Sequence, residues 1–259
     1  MRLSILGSGS SGNSIYIESS DSGILIDAGF SCKKIEEKLG EIDVNPAGIK
    51  AVLITHEHTD HISGAGIFSR KYDVPIYITE KSYNAGKAKL GKLDEKNIKI
   101  IKSRFDIENS LYIQPFEVMH DAEMTIGFEI KNRKNRKIAV ATDIGYITNS
   151  VKEHFKESDL VLIESNYDYN MLMNGPYPWE LKNRVKGKNG HLSNNECAKF
   201  IKSIYHSGLQ KVYLVHISKD NNTYDIAYRS AMEHFADEGI DVRLEVAEQE
   251  KITKIFDIG

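Results

Sequence analysis

The sequence predicts a layered α/β domain, and three observations lead to it. Short apolar runs of strand length alternate with segments of helical period along all 259 residues. Five of those runs stop at a polar, chemistry-bearing residue: Asp27, His56, His120, Asp143 and His216. No internal repeat, low-complexity tract or interdomain linker interrupts the pattern, so residues 1–259 read as a single domain with one polar edge.

Taken in order, Leu3 to Leu6 is a strand leading into Gly7-Ser8-Gly9-Ser10-Ser11-Gly12-Asn13. A glycine-serine loop after a strand suggests a phosphate cradle. The dinucleotide fingerprint nevertheless fails, because Ser14 to Glu18 alternates as a second strand where a helix is required. The loop is therefore expected to be a tight turn near the site. Gly23 to Ile26 is a third strand ending at Asp27, a carboxylate that must find a partner if it is buried. Ser31 can cap a helix to about Leu39. Ala51 to Ile54 is a buried strand, Ile62 to Tyr72 a helix, Pro75 to Ile78 a strand, and Glu80 to Lys89 a basic helix.

Further strands are expected at Ile98 to Ile101, Leu111 to Val118, Thr125 to Ile130, Lys137 to Ala141, Leu160 to Ile163 and Lys211 to Val215. Helices near 193–205 and 224–236 precede a C-terminal pair of strands.

The stretch that organises the chain is Thr55-His56-Glu57-His58-Thr59-Asp60-His61. Alternate residues of an extended segment share a face, so His56 and His58 can bind one ion together. Asp60 and His61 follow where the chain must turn and can face a second. Mixed imidazole and carboxylate donors suit Zn2+ best, with Mn2+ or Fe2+ also compatible. Incidental histidines in a polar turn are the bland alternative, and this density of ligands argues against it.

Composition bounds the rest. Lys+Arg 34 against Asp+Glu 37 gives a net charge of -3, so any affinity for a polyanion must come from a local patch. Cys32 and Cys197 are expected as free thiols, no apolar run reaches a membrane span, and the N-terminus shows no signal peptide; a cytoplasmic location is expected. Oligomeric state leaves no trace in the sequence.

Thr-His-x-His-x-Asp-His resembles the signature of the metallo-β-lactamase superfamily. The resemblance implies a four-layer αββα sandwich and a hydrolase with two divalent metal ions. His56, His58 and His120 would hold the first ion, Asp60, His61 and His216 the second, and Asp143 would bridge them. Asp27 would support the histidine loop, with Glu164 assigned the same kind of role. His154, His206 and His234 are left as surface or packing residues.

Gly190-His191-Leu192-Ser193-Asn194 resembles the phosphate-proximal segment of the superfamily's nuclease branch. A helix starting there would offer N–H groups to a phosphate, with Ser193 and Asn194 as contacts, and His191 could give a proton to the leaving oxygen. The same segment equally reads as a helix cap. Asp60 and His191 are the catalytic candidates. Trp179, Lys182, Arg184, Lys186 and Lys188 alternate in a way that could stack bases and track a phosphate backbone, although a solvated loop accounts for the charges almost as well. Together with Gly-Ser-Gly-Ser-Ser-Gly-Asn, Leu-Ile-Asp-Ala-Gly and His216-Ile-Ser-x-x-Asn-Asn, these motifs resemble the YycJ (WalJ, VicX) family, which implies a 5′-to-3′ DNA exonuclease. The alternatives are a thioesterase of the glyoxalase II type, or a ribonuclease or small-molecule phosphodiesterase on the same scaffold.

Overall fold

Two seven-stranded sheets pack face to face in this computed structural model, which describes residues 1–20, 22–236 and 239–259. Across the first sheet the order is β14 (Phe256–Asp257), β1 (Arg2–Gly7), β2 (Ser14–Ser19), β3 (Ser22–Ile26), β4 (Ile49–Leu53), β5 (Ile76–Ile78) and β6 (Ile98–Ile100). Across the second it is β13 (Arg243–Val246), β12 (Lys211–Val215), β11 (Leu160–Glu164), β10 (Lys137–Ala141), β9 (Thr125–Asn132), β8 (Leu111–Val118) and β7 (Phe105–Ile107).

Strand periodicity assigns the layers. Ile24, Ile26, Ala51 and Leu53 point into the space between the sheets, where they meet Phe128, Ile130, Ile138, Val140 and Leu162. Their neighbours Leu25 and Val52 point the other way, against Ile35 and Leu39 of α1 (Cys32–Gly40) and Phe68 of α3 (Ala65–Tyr72). On the far side, Ala139, Val161 and Leu214 meet α5 (Asn149–Phe155), α8 (Asn194–Ile204) and α9 (Tyr224–Ala236). The result is the α-β-β-α order. Each fully buried Ile or Phe contributes roughly 1.5–3 kcal/mol of transfer free energy, so the strand ends rest on a stiff support.

Strand direction then collects the polar residues. β3 and β4 are parallel, as are β10, β11 and β12. β8 is antiparallel to β9, and β9 to β10, so β8 runs with β10. The carboxyl ends of these six strands therefore share one edge of the sandwich. There the Ile126 N–H donates to the Thr55 carbonyl at 3.1 Å and ties the two sheets together.

Several details depart from the sequence reading. The helix expected over 62–72 is two helices, α2 (Thr59–Ile62) and α3, because at the break Ser63 Oγ donates to Gly29 O and Gly64 N–H to Ala28 O. That break binds the motif to the turn after Asp27. The C-terminal strands do not pair with each other; β13 joins one sheet and β14 the other. β7, three residues long and paired with β8, was not expected. The aromatic and basic stretch is helical, comprising α6 (Tyr169–Asn174) and α7 (Trp179–Val185). Alternate residues of a helix do not share a face, so Lys182 and Arg184 do not continue one row, while Lys186 caps the helix and Lys188 lies beyond it.

Candidate metal centre

The histidine motif leaves β4 in extended conformation and turns into α2 at His58, whose φ of -63° and ψ of 150° make it the last extended residue. His56 Nε2 and His58 Nδ1 face one another at 3.0 Å. His56, His58 and His120 bring three ring nitrogens within 4.8 Å of one another; Asp60, His61 and His216 bring a carboxylate oxygen and two ring nitrogens equally close, and Asp143 meets His56 and His61. The seven residues assigned by resemblance thus converge on one edge.

The His56, His120 and His61 rings are oriented by the nitrogen they do not turn inward. His56 Nδ1 lies 3.0 Å from Thr55 Oγ1. His120 Nδ1 lies 3.0 Å from the Gly190 carbonyl and donates to it. His61 Nδ1 is 2.7 Å from Asp27 Oδ2, and the Asp27 carboxylate also accepts from the Thr55 N–H and hydroxyl, both at 2.8 Å. Asp27 is therefore the buried brace of the histidine loop. Gly29 lets that brace close up: a Cβ there would overlap the Asp60 carbonyl.

These donors fit divalent transition-metal ions. Burial, reinforced by the neighbouring His61 charge, holds His56 well below its ordinary value, as a free-base ligand must be. Burial opposes ionisation of Asp143, yet the His216 and His61 charges outweigh it and keep the carboxyl well below the usual range. One of its oxygens, Oδ2, is buried and makes no well-aligned hydrogen bond, its nearest polar neighbour being His61 Nε2 at 3.2 Å. A charged, buried oxygen without a well-aligned hydrogen bond, among inward-facing imidazoles, calls for a cation. Burial likewise works against the imidazolium of His216, but the Asp143 carboxylate and hydrogen bonds to Asp60 and Glu164 raise it to about 10.

Glu164 ends β11 and is wholly buried. Its Oε1 accepts from His191 Nδ1 and His216 Nδ1, each at 2.7 Å, and its Oε2 accepts from the N–H groups of Ile144 at 2.9 Å and Leu192 at 3.1 Å. With both oxygens filled, Glu164 positions two imidazoles and has no lone pair left for an ion. His191 lies against both halves of the cluster, its ring centre 5.1 Å from that of His120 and 5.3 Å from that of His216. Burial lowers its affinity for a proton, and the Glu164 charge and hydrogen bond more than restore it.

A cleft of about 220 Å³ opens beside the cluster, lined by Ser10, Tyr177, Arg184, His191, His216 and Lys219 among others. Arg184 is the one member of the basic stretch on its wall, and it is paired with Asp121. Lys182 Nζ bonds the Met173 carbonyl at 2.8 Å, Lys186 Nζ sits 4.9 Å over the Trp179 ring, and Lys188 Nζ sits 5.3 Å over Tyr146. Trp179 is 61% exposed.

Ser193 and Asn194 take the helix-cap role that the sequence also offered. Ser193 closes α8 with a capping box, accepting from Glu196 N while Glu196 accepts from its own N–H. Buried Asn194 bonds Ser165 Oγ at 2.7 Å and Asn222 at 3.0 Å. Neither lines the cleft, because the start of α8 spends its polar groups on itself. His154, stacked on Phe116, and His206 and His234, bonded to Ser158 O and Asn195, lie outside the cluster.

Asn13 is the site residue that sequence reasoning missed. It is buried and its Nδ2 lies 3.1 Å from His61 Nε2 and 3.3 Å from Asp60 Oδ2, while its Oδ1 accepts from Ser8 Oγ and Gly9 N–H. Ser8 Oγ in turn accepts from His216 N–H at 2.9 Å. The available signal was an Asn between glycine-serine turns and a strand, a place where a side-chain amide commonly replaces backbone partners.

Residues 23–217 match the family described as a beta-lactamase superfamily domain. The chain belongs to the β-lactamase superfamily. Curated relatives of this superfamily member include the exodeoxyribonuclease YycJ of Bacillus anthracis, 35% identical over 247 residues, covering 93% of this chain and 92% of the relative. They also include the exodeoxyribonuclease WalJ of Streptococcus pneumoniae serotype 2 (strain D39), 37% identical over 250 residues, covering 95% and 93%. Among solved structures, the metallo-β-lactamase fold protein YhfI from Bacillus subtilis superposes with a TM-score of 0.72 at 15% identity, over 97% of this chain and 98% of that one. That likeness shows the shared αββα fold of this hydrolase superfamily. No helix among the described residues is long and apolar enough to cross a membrane.

Proposed function

We propose that this chain is a dinuclear-metal phosphodiesterase that removes nucleotides from DNA, working 5′ to 3′. The observation that carries the reading is His191, held by the buried Glu164 and set against both halves of the ligand cluster. His56, His58 and His120 would hold one ion and Asp60, His61 and His216 the other, with Asp143 as a further donor beside them; zinc suits this donor set best, with manganese or ferrous iron as alternatives. Bound there, the ions supply an activated water and the positive charge that phosphodiester hydrolysis needs.

What remains for the protein is the departing sugar oxygen. Glu164 keeps His191 Nδ1 engaged and raises the ring's affinity for a proton, so that the opposite nitrogen, Nε2, of the protonated ring can give its proton to that oxygen. Arg184 stands on the same wall as an ion pair with Asp121, which also lines the cleft. DNA as the substrate rests on the relatives named exodeoxyribonuclease, which match more than nine-tenths of the chain. Those relatives leave the thioesterase reading without support. A nucleotide-removing enzyme of this kind belongs in the cytoplasm.

Incubating the metal-loaded protein with end-labelled single- and double-stranded DNA and RNA tests the reading. Release of mononucleotides from the 5′ end of DNA, in preference to RNA, is the expected result. No cleavage of any nucleic acid, with hydrolysis of a thioester instead, would overturn it.

A further inference from the structure

The cleft beside the ligand cluster carries two cations, and they are not equivalent. Arg184 is committed to Asp121. Lys219 Nζ meets the Ser11 hydroxyl at 3.3 Å, and among the described residues no carboxylate lies within ion-pairing distance of it. Its neighbour Asp220 is engaged elsewhere. The Tyr177 hydroxyl donates to Asp220 at 2.7 Å and so joins the loop after α6 to the loop after β12. Ser10, Tyr177, Lys219 and Asp220 all line the cleft with His191 and His216. An ammonium that bonds only the Ser11 hydroxyl among the contacts of the described residues, with the Glu250 charge beyond ion-pairing distance, is suited to an anion, and charge-assisted hydrogen bonds to phosphate are the strong ones.

Charge and size decide which phosphate. A terminal phosphomonoester carries about -1.5 to -2 at neutral pH, whereas an internal diester carries one negative charge. A single lysine in a cleft therefore favours an end over the middle of a strand. The volume of about 220 Å³ falls below the roughly 300–1,000 Å³ of sites for drug-sized ligands, so it suits one nucleotide rather than a run of them.

We propose that Lys219, with the hydroxyls of Ser10 and Ser11, seats the terminal 5′-phosphate of a DNA strand whose first internal linkage lies at the ligand cluster. This rests on the phosphodiesterase reading. It makes Lys219 the residue that favours cleavage at phosphorylated 5′ ends.

The test uses the metal-loaded protein and single-stranded oligonucleotides that differ only in carrying a 5′-phosphate, a 3′-phosphate or hydroxyls at both ends. The wild type should degrade the 5′-phosphorylated strand about 10- to 100-fold faster at limiting substrate, the range for losing a charged hydrogen bond. The 3′-phosphate should give no advantage. Lys219→Ala should bring the favoured rate down to that of the hydroxyl strand, and Lys219→Arg should keep most of the preference. All three proteins should hydrolyse bis(p-nitrophenyl) phosphate alike, which verifies an intact centre.

A binding arm stands apart from turnover. In a His191→Ala background, d(pTpT) should bind at least tenfold more tightly than d(TpT), and adding Lys219→Ala should erase the difference. A chain that cleaves no phosphodiester would end the functional reading, while the binding ratio would still decide the phosphate seat. Equal preference with and without Lys219 by either measure, or a preference for the 3′-phosphate, would overturn the proposal.

Discussion

Glu164→Gln keeps the side chain's shape and removes its charge, and the structure gives the size of the effect. The carboxylate accepts four hydrogen bonds, two from imidazoles and two from backbone N–H groups. A glutamine has one oxygen for them. If that oxygen stays with His191 and His216, the amide NH2 confronts the N–H groups of Ile144 and Leu192; flipped, it confronts the two imidazoles. Two buried donors lose their acceptor either way, at about 1–3 kcal/mol each, or roughly 2–6 kcal/mol in all. His191 also loses the charge that raises its affinity for a proton. The basic limb of the rate profile on DNA should therefore move to lower pH, and the rate near neutrality should fall by about 10²–10⁴. Thermal denaturation together with rate-against-pH curves reads both effects. A Glu164→Gln protein with full activity and an unshifted basic limb would refute the assignment of Glu164 as the group that charges His191.

Other outcomes follow from the same geometry. Replacing His58 or Asp143 by Ala should strip metal and abolish hydrolysis, as elemental analysis alongside a nuclease assay would reveal; an active metal-free protein would contradict the centre. In the metal-free protein His216 is raised to about 10 from an unfolded value near ~6.5, so its proton stabilises the fold fully below about pH 6.5 and that contribution fades as pH rises towards 10. Ion binding needs the free base, so metal affinity should run the other way, gaining up to about tenfold per pH unit per displaced proton; competition titrations at two pH values within this window check it, and a flat response would count against it. Gly29→Ala should cost about 1–3 kcal/mol or more, because its Cβ meets the Asp60 carbonyl, lowering Tm by about 2–4 °C per kcal/mol together with metal content.

The layers and the shared polar edge were legible because each rests on a local pattern, whereas the set of seven ligands came from the resemblance. Alternation marked Ile24, Ile26, Ala51 and Leu53 as facing one way, and strand ends placed Asp27, His120, Asp143 and His216 on an edge. What was not legible depended on contacts distant in sequence. Asn13 reaches Asp60 and His61, 47 and 48 residues away, and nothing in its own neighbourhood announces that. Ser193 and Asn194 looked exposed because the start of a helix commonly is, whereas Asn194 is enclosed by Ser165 and Asn222. The basic stretch misled through period: spaced two apart, its charges suggest a row only if the chain is extended, and residues from Trp179 to Val185 are helical. Sequence could place Glu164 at a strand's end but could not show that it holds His191 and His216 at once.

The account turns on His191 as the donor to the leaving oxygen, and a comparison of two substrates tests it most directly. His191→Ala should leave metal content intact and slow DNA hydrolysis by about 10²–10⁴. On the nitrophenyl ester of thymidine phosphate, whose leaving group needs little protonation, the same variant should lose far less. Equal losses on the two substrates would contradict the assignment and leave His191 as a phosphate-binding or structural residue.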